Sequence, residues 1–187
     1  EKLYDTSFDK HTYKHMTIGF EEDIKEMPNL YDFSKSFYQR YYRPENVVLL
    51  VVGDINPKQT VEWIKKYYGD WKPGYVEPQI TPEPEQTAPR KAEVTYDGRT
   101  LPLTVVAYKH DAFDINNKNY LASLLLSDLA FGETSEIYKK LVLNEQKVQF
   151  VSGGPGMTRD PKLFSIYSMI KSVNDIDYVL GEIDNAI

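Results

Sequence analysis

The chain's 187 residues suit one domain of ordinary size or part of a larger one, and 41% hydrophobic with 27% charged residues is too apolar for general disorder. With 28 acidic against 22 basic residues, a net charge of −6, there is no basic surplus to neutralise phosphates, which argues against nucleic-acid binding. No apolar run approaches the roughly 20 residues that a spanning helix needs, and the absence of Cys excludes disulfides, thiolate catalysis and Cys-ligated zinc.

Glu1–Phe20 is polar and aperiodic and reads as a loop or arm. A helix is expected from about Asn29 to Tyr42, capped by Asn29, with Phe33, Phe37, Tyr38 and Tyr41 as its buried stripe. Arg43-Pro44 stops it. Val47–Val52 is continuously apolar and rich in β-branched residues, the pattern of a central strand buried on both faces. Asn56-Pro57-Lys58-Gln59 then opens a second helix, with Val61, Ile64 and Tyr68 on one face and Gly69 as a left-handed cap. Five of the eleven prolines fall between residues 73 and 89, an extended connection. Beyond it, strands are expected at Ala92–Tyr96 and Leu103–Tyr108. A helix from Asn116 to Phe131 closes at Gly132, and a second follows Ser135. Further strands at Val148–Val151 and Leu163–Ile170 are joined by a turn containing Gly153, Gly154 and Gly156, and a last helix from Asp175 still runs at Ile187, so truncation is expected at both ends. Short turns between neighbouring strands imply an α+β layer: an antiparallel or mixed sheet with helices packed on one face. The division expected is 1–70, a Pro-rich linker at 71–89, and a subdomain at 90–187.

Side chains with chemistry are few. His11-Thr12-Tyr13-Lys14-His15 spaces two imidazoles four apart, but Lys14 stands where a zinc hydrolase needs a carboxylate to take a proton from bound water. His110-Asp111 with Ser123, Ser127 or Ser135 lacks a nucleophile elbow, and neighbours on a strand point to opposite faces. Gly153–Gly156 is not followed by a helix start or a Lys, so it reads as a turn and not a phosphate cradle. Glu21-Glu22-Asp23 lacks the alternation of a calcium loop and reads as a solvated helix start. The Tyr38/Tyr41/Tyr42 and Tyr67/Tyr68 groups read as core and rim. No catalytic, cofactor-binding or metal-binding residue is expected in this chain.

Several segments together resemble the pitrilysin/insulinase family of zinc metallopeptidases, the inverzincins. His11–Gly19 is similar to its H-P-Y-G-H-P-T-I-G stretch, and Phe37-Tyr38 through Tyr41–Asn46 to F-x-x-x-Y-x-P-x-N. Val51–Asp54 and Tyr67–Gly69 resemble V-V-G-D and K-Y-F-G. Ala107-Tyr108, Gly132–Tyr138 with Leu141-Val142, and Asp160-Pro161 fit later segments. Thr12 and Lys14 depart from the usual Pro and Gly, and Glu136 from the usual Arg. The family's H-x-x-E-H motif and distal Glu, which hold zinc, lie upstream of the H-P-Y-G-H stretch and are not in this chain. The resemblance therefore implies a fold like that of LuxS and the mitochondrial processing peptidases. This fragment would run from the tail of the zinc-bearing segment, to about Asp70, through the non-catalytic subdomain, from about Val47 onward. Zinc is implied in the missing upstream segment and not here. The partners implied are the zinc-bearing half and a second repeat, on the same or a partner chain, enclosing a chamber in which peptides are cut. The role implied is a scaffold and chamber wall of a zinc-dependent peptidase, inactive alone; the alternative is an inactive family member acting as a binding or assembly subunit.

Overall fold

Leu163, Phe164, Ile166, Ser168 and Ile170 are buried along one strand, β3 (Lys162–Ile170), in the computed structural model, which describes residues 1–187. β3 is the middle strand of three. β1 (Leu103–His110) and β2 (Val148–Pro155) pair with it, both antiparallel, in the order β1-β3-β2. The chain divides into two compact units, Glu1–Arg90 and Lys91–Ile187, and this sheet belongs to the second.

Because side chains alternate along a strand, the even-numbered residues of β3 share one face. Phe164, Ile166 and Ile170 on that face form one apolar cluster with Phe131 of α5 (Lys118–Phe131), Ile137 of α6 (Glu136–Tyr138), Leu141, and Val179 and Ile183 of α7 (Ile176–Asn185). All the helices of this unit therefore lie on one side of the sheet, the expected α+β arrangement. Fully burying each such side chain contributes about 1.5–3 kcal/mol. Val148 and Val151 of β2 both join the cluster although three positions apart, because the pairing with β3 shifts register between Val148 and Phe150. The extra residue of that bulge turns the strand over. Ser168 is the buried polar member of the row, and its Oγ lies 2.6 Å from Oγ1 of Thr104, directly opposite on β1.

Several expectations are corrected in this unit. Residues 92–96 form no strand, and Val94 and Tyr96 are exposed. Gly153 and Gly154 lie within β2 and not in a turn; a Cβ on Gly153 would press on Ile166 of β3 and Phe131 of α5, and one on Gly154 on Ser127 of α5. The helix after Ser135 keeps its cap, the Ser135 hydroxyl accepting from Tyr138 N–H at 3.2 Å, but widens into a π-helix over Lys139–Asn144. α7 ends at Asn185.

The first unit is helical. It holds α1 (Lys2–Ser7), within the stretch read as a loop, then a 3-10 turn at Thr12–Lys14, α2 (Glu21–Glu26), α3 (Tyr31–Tyr41) and α4 (Pro57–Tyr68). Asn56 caps α4 as its sequence predicts, accepting from Gln59 N–H at 3.2 Å. Gly69 ends α4 in the right-handed region, not the left-handed one. Asn29 does not cap α3. It sits in a 3-10 turn, and its amide donates to Glu26. The largest correction concerns Val47–Val52, which pairs with nothing and stays exposed, as do Phe33, Phe37 and Tyr38 of α3. A β pattern becomes a strand only where a neighbour takes its hydrogen bonds.

Carboxylates help to hold the Pro-rich segment. Glu83 accepts from the backbone N–H groups of Asp9, Lys10 and His11 at 2.7, 2.9 and 2.9 Å. Arg90 forks onto Asp9 at 3.0 and 2.5 Å and donates to Thr6 C=O. Glu45 accepts from Gly74 and Tyr75 N–H at 2.5 and 3.0 Å. Glu83→Ala leaves three N–H groups to water, and the His11 group is partly buried. We expect a loss of about 1–2 kcal/mol in the first unit, read in urea by fluorescence of Trp63 and Trp71, which both lie there.

These carboxylates also set an acid limit. Hydrogen bonds from Lys14 and Lys2 lower the Asp5 carboxyl to about 2, Arg90 lowers that of Asp9, and the Gly74 N–H is the leading cause for Glu45. Each binds protons more weakly folded than unfolded, so the unfolded chain takes up more protons as pH falls. Their stabilisation is complete above the ordinary carboxylate range and is lost as pH drops through it. The urea midpoint of the tryptophan signal is expected to be lower at about pH 3 than at about pH 6; an unchanged midpoint would count against these contacts.

Candidate functional site

His11 is buried, and its neighbours fix its ring. Its Nδ1 accepts from Tyr13 N–H at 3.0 Å, and its ring packs 4.3 Å from that of Tyr13 and 6.2 Å from that of Phe8. His15 lies against Phe20, with Nδ1 3.2 Å from Met16 C=O. Lys14, in the position where a zinc hydrolase holds its base, bonds Asp5 at 2.9 Å and the Asp5 and Phe8 carbonyls at 2.9 and 3.1 Å. No group of three or more His, Asp or Glu side chains is placed to hold a metal ion. A zinc centre needs three or four such donors, so the residues of this chain do not fit one.

His110 and Asp111 do not orient each other. Nδ1 of His110 lies 3.1 Å from Asp111 C=O, while the Asp111 carboxylate accepts from the Asn117 amide at 3.1 Å. The ring of His110 packs against Tyr120 and Phe164, 5.4 and 6.1 Å between centroids. The three serines are also engaged. Ser123 donates to Tyr120 C=O at 2.7 Å, Ser127 to Leu124 C=O at 3.0 Å, and Ser135 caps its helix. Gly153 and Gly154 pack under α5, and Glu21, Glu22 and Asp23 form the exposed first turn of α2, with Glu21 paired to Lys25 at 2.6 Å.

One charged cluster escaped the sequence reading, because its members are spread over 42 positions. Lys140 bonds Glu182 at 2.7 Å and Lys147 bonds Asp175. Their ammonium groups stand 5.5 and 5.2 Å from the ring of Tyr178, whose hydroxyl donates to Glu145 at 3.0 Å. The carboxylates of Glu182 and Asp175 raise the two lysines, so both stay protonated and neither serves as a nucleophile at neutral pH. The cluster ties the π-helix to α7.

The imidazoles of His11 and His110 and the hydroxyls of Ser123, Ser127 and Ser135 thus each take part in local structure. No helix is long and apolar enough to cross a membrane. Residues 30–187 match the family described as the peptidase M16 inactive domain. Over 145 residues, 75% of this chain and 32% of the relative, the sequence is 34% identical to the zinc protease PqqE of Helicobacter pylori. The fold superposes on the crystal structure of a protease from Helicobacter pylori with a TM-score of 0.82 at 27% identity, over 98% of this chain and 44% of that one. It superposes on a peptidase M16 inactive domain from Pseudomonas fluorescens with a TM-score of 0.74 over 99% of this chain and 44% of that one, a likeness of fold alone at 18% identity. The chain therefore spans about a third of the curated relative's length and under half of each structure's. An α+β layer matched by that family over most of its length places this chain in the zinc metallopeptidase family M16, within the region described as its inactive domain.

Proposed function

We propose that this chain is the non-catalytic scaffold and chamber-wall portion of a zinc-dependent peptidase. In this reading residues 1–70 are the tail of the zinc-bearing segment, 71–89 the linker and 90–187 the wall. The match of residues 30–187 to an inactive peptidase domain carries it. The engagement of His11, His15, His110 and the serines in local structure supports it. Zinc belongs to polypeptide beyond these residues, and this chain's own contribution is shape: a rigid three-stranded layer that helps to exclude bulk water from a peptide held beside it. The partners are the zinc-bearing half and a second repeat.

The test is peptide cleavage. The 187-residue chain, incubated with zinc and a mixed-sequence fluorogenic peptide library, is expected to cleave nothing, whereas the complete reading frame cleaves and a chelator stops it. Cleavage by the short chain alone would contradict the proposal. An inert complete reading frame without H-x-x-E-H would favour an assembly role instead.

A further inference from the structure

Ser135–Lys147 holds no proline and no glycine, and Lys139, Lys140, Leu141 and Leu143 are good α-helix formers. No helix breaker lies in the stretch, and yet Lys139–Asn144 closes i→i−5, with Glu145 N–H donating to Lys140 C=O at 2.9 Å. An α-helix would give that N–H to Leu141 instead. The widened turn runs into Gln146, at φ +53° the only residue other than glycine in the left-handed region. A π-turn and a left-handed residue with a side chain both cost free energy, and such features persist where surrounding contacts outweigh them.

Tyr178 of α7 supplies those contacts. The Lys140 and Lys147 ammonium groups stand 5.5 and 5.2 Å from its ring, and its hydroxyl donates to Glu145 at 3.0 Å. Lys140 and Glu145 are five positions apart, and in an α-helix they would point about 140° apart around the axis. One tyrosine would not then reach both. Closing i→i−5 brings them to the same side, and the turn at Gln146 returns Lys147 to it. Glu182 of α7 and Asp175 just before it hold the two ammonium groups in ion pairs.

We infer that Tyr178 is a latch: it holds the turn after α6 in the wide register, and without it the same residues wind as α-helix. In that second register Glu145 N–H passes to Leu141 C=O. The residue no longer held in the π-turn enters the link from Glu145 to Lys147, at the start of β2. β2 already carries an unpaired residue between Val148 and Phe150, so its beginning can take up a one-residue slip. The latch thereby couples α7 to the first residues of β2. It works at the surface: Tyr178 is 39% exposed, while Val179 and Ile183 on the same helix are fully buried. Opening it leaves the core in place.

Hydrogen-bond scalar couplings, measured by NMR on the isotopically labelled 187-residue chain, read the register directly. The Glu145 nitrogen is expected to couple to the Lys140 carbonyl carbon in the unaltered protein. In Tyr178→Ala that coupling is lost and one to Leu141 replaces it, while amide protection at Val179 and Ile183 is kept. Lys140→Met combined with Glu145→Ala keeps the tyrosine but removes two of its partners, and is expected to switch in the same way. Should Tyr178→Ala fail to fold, this double variant decides by the same outcomes. Lys140→Arg, which keeps a cation over the ring, is expected to hold the wide turn. A Glu145–Lys140 coupling that survives in Tyr178→Ala would overturn the inference, since the register would then be set elsewhere. Loss of both couplings, with fast amide exchange confined to residues 139–147, would overturn it too, because the turn would melt and not rewind.

Discussion

Replacing Phe131 with Ala is expected to destabilise the Lys91–Ile187 unit by about 3–5 kcal/mol, whereas the same deletion at Phe37 costs about 0.5 kcal/mol or less. The two residues are chemically identical and both lie on helices. Phe131 is 2% exposed and packs into the cluster with Phe164 and Ile166, so its removal leaves a cavity that the sheet cannot close. Phe37 is 47% exposed, and its ring lies against those of its α3 neighbours Phe33 and Tyr41. Amide exchange in β3 reports the first variant, and tryptophan fluorescence the second. Comparable losses at both sites would mean that the first unit has a core of its own after all.

Gly153→Ala is the second large effect. A Cβ at position 153 would lie 2.8 Å from Cγ1 of Ile166 and 3.1 Å from Cδ2 of Phe131, both inside the packed cluster. The neighbours cannot give way without disturbing β3 or α5, so one added methyl is expected to cost about 1–3 kcal/mol. Gly181 in α7 is the control, since nothing lies within 4 Å of its would-be Cβ. Gly181→Ala is expected to be neutral or stabilising by up to about 1 kcal/mol. If Gly153→Ala proved as benign in thermal unfolding, the close packing of Ile166 and Phe131 against Gly153 would be wrong.

Where a rule is local, the sequence was legible. Asn56, Pro57 and Gln59 mark the start of α4, Ser135 marks that of α6, and the alternation of Leu163–Ile170 marks the middle strand. Failure came where the deciding partner is remote. Val47–Val52 carries a stronger β pattern than β1, but β1 has β3 beside it and Val47–Val52 has no neighbour. Gly153 and Gly154 carry the composition of a turn, yet Ile166 of β3 and Phe131 and Ser127 of α5 crowd them within β2. Glu83 was unremarkable in sequence because its three partners lie more than 70 positions away. The family motifs were readable in order and spacing, which is why the kinship was legible while the engagement of His11 by Tyr13 and of Lys14 by Asp5 was not.

In the proposed reading these residues support a peptidase and hold none of its chemistry. Zinc content measured by mass spectrometry, after the 187-residue chain is loaded with zinc and dialysed extensively, tests it most directly. No stoichiometric metal is expected. One tightly held zinc per chain, lost on replacing His11 and His15, would contradict it.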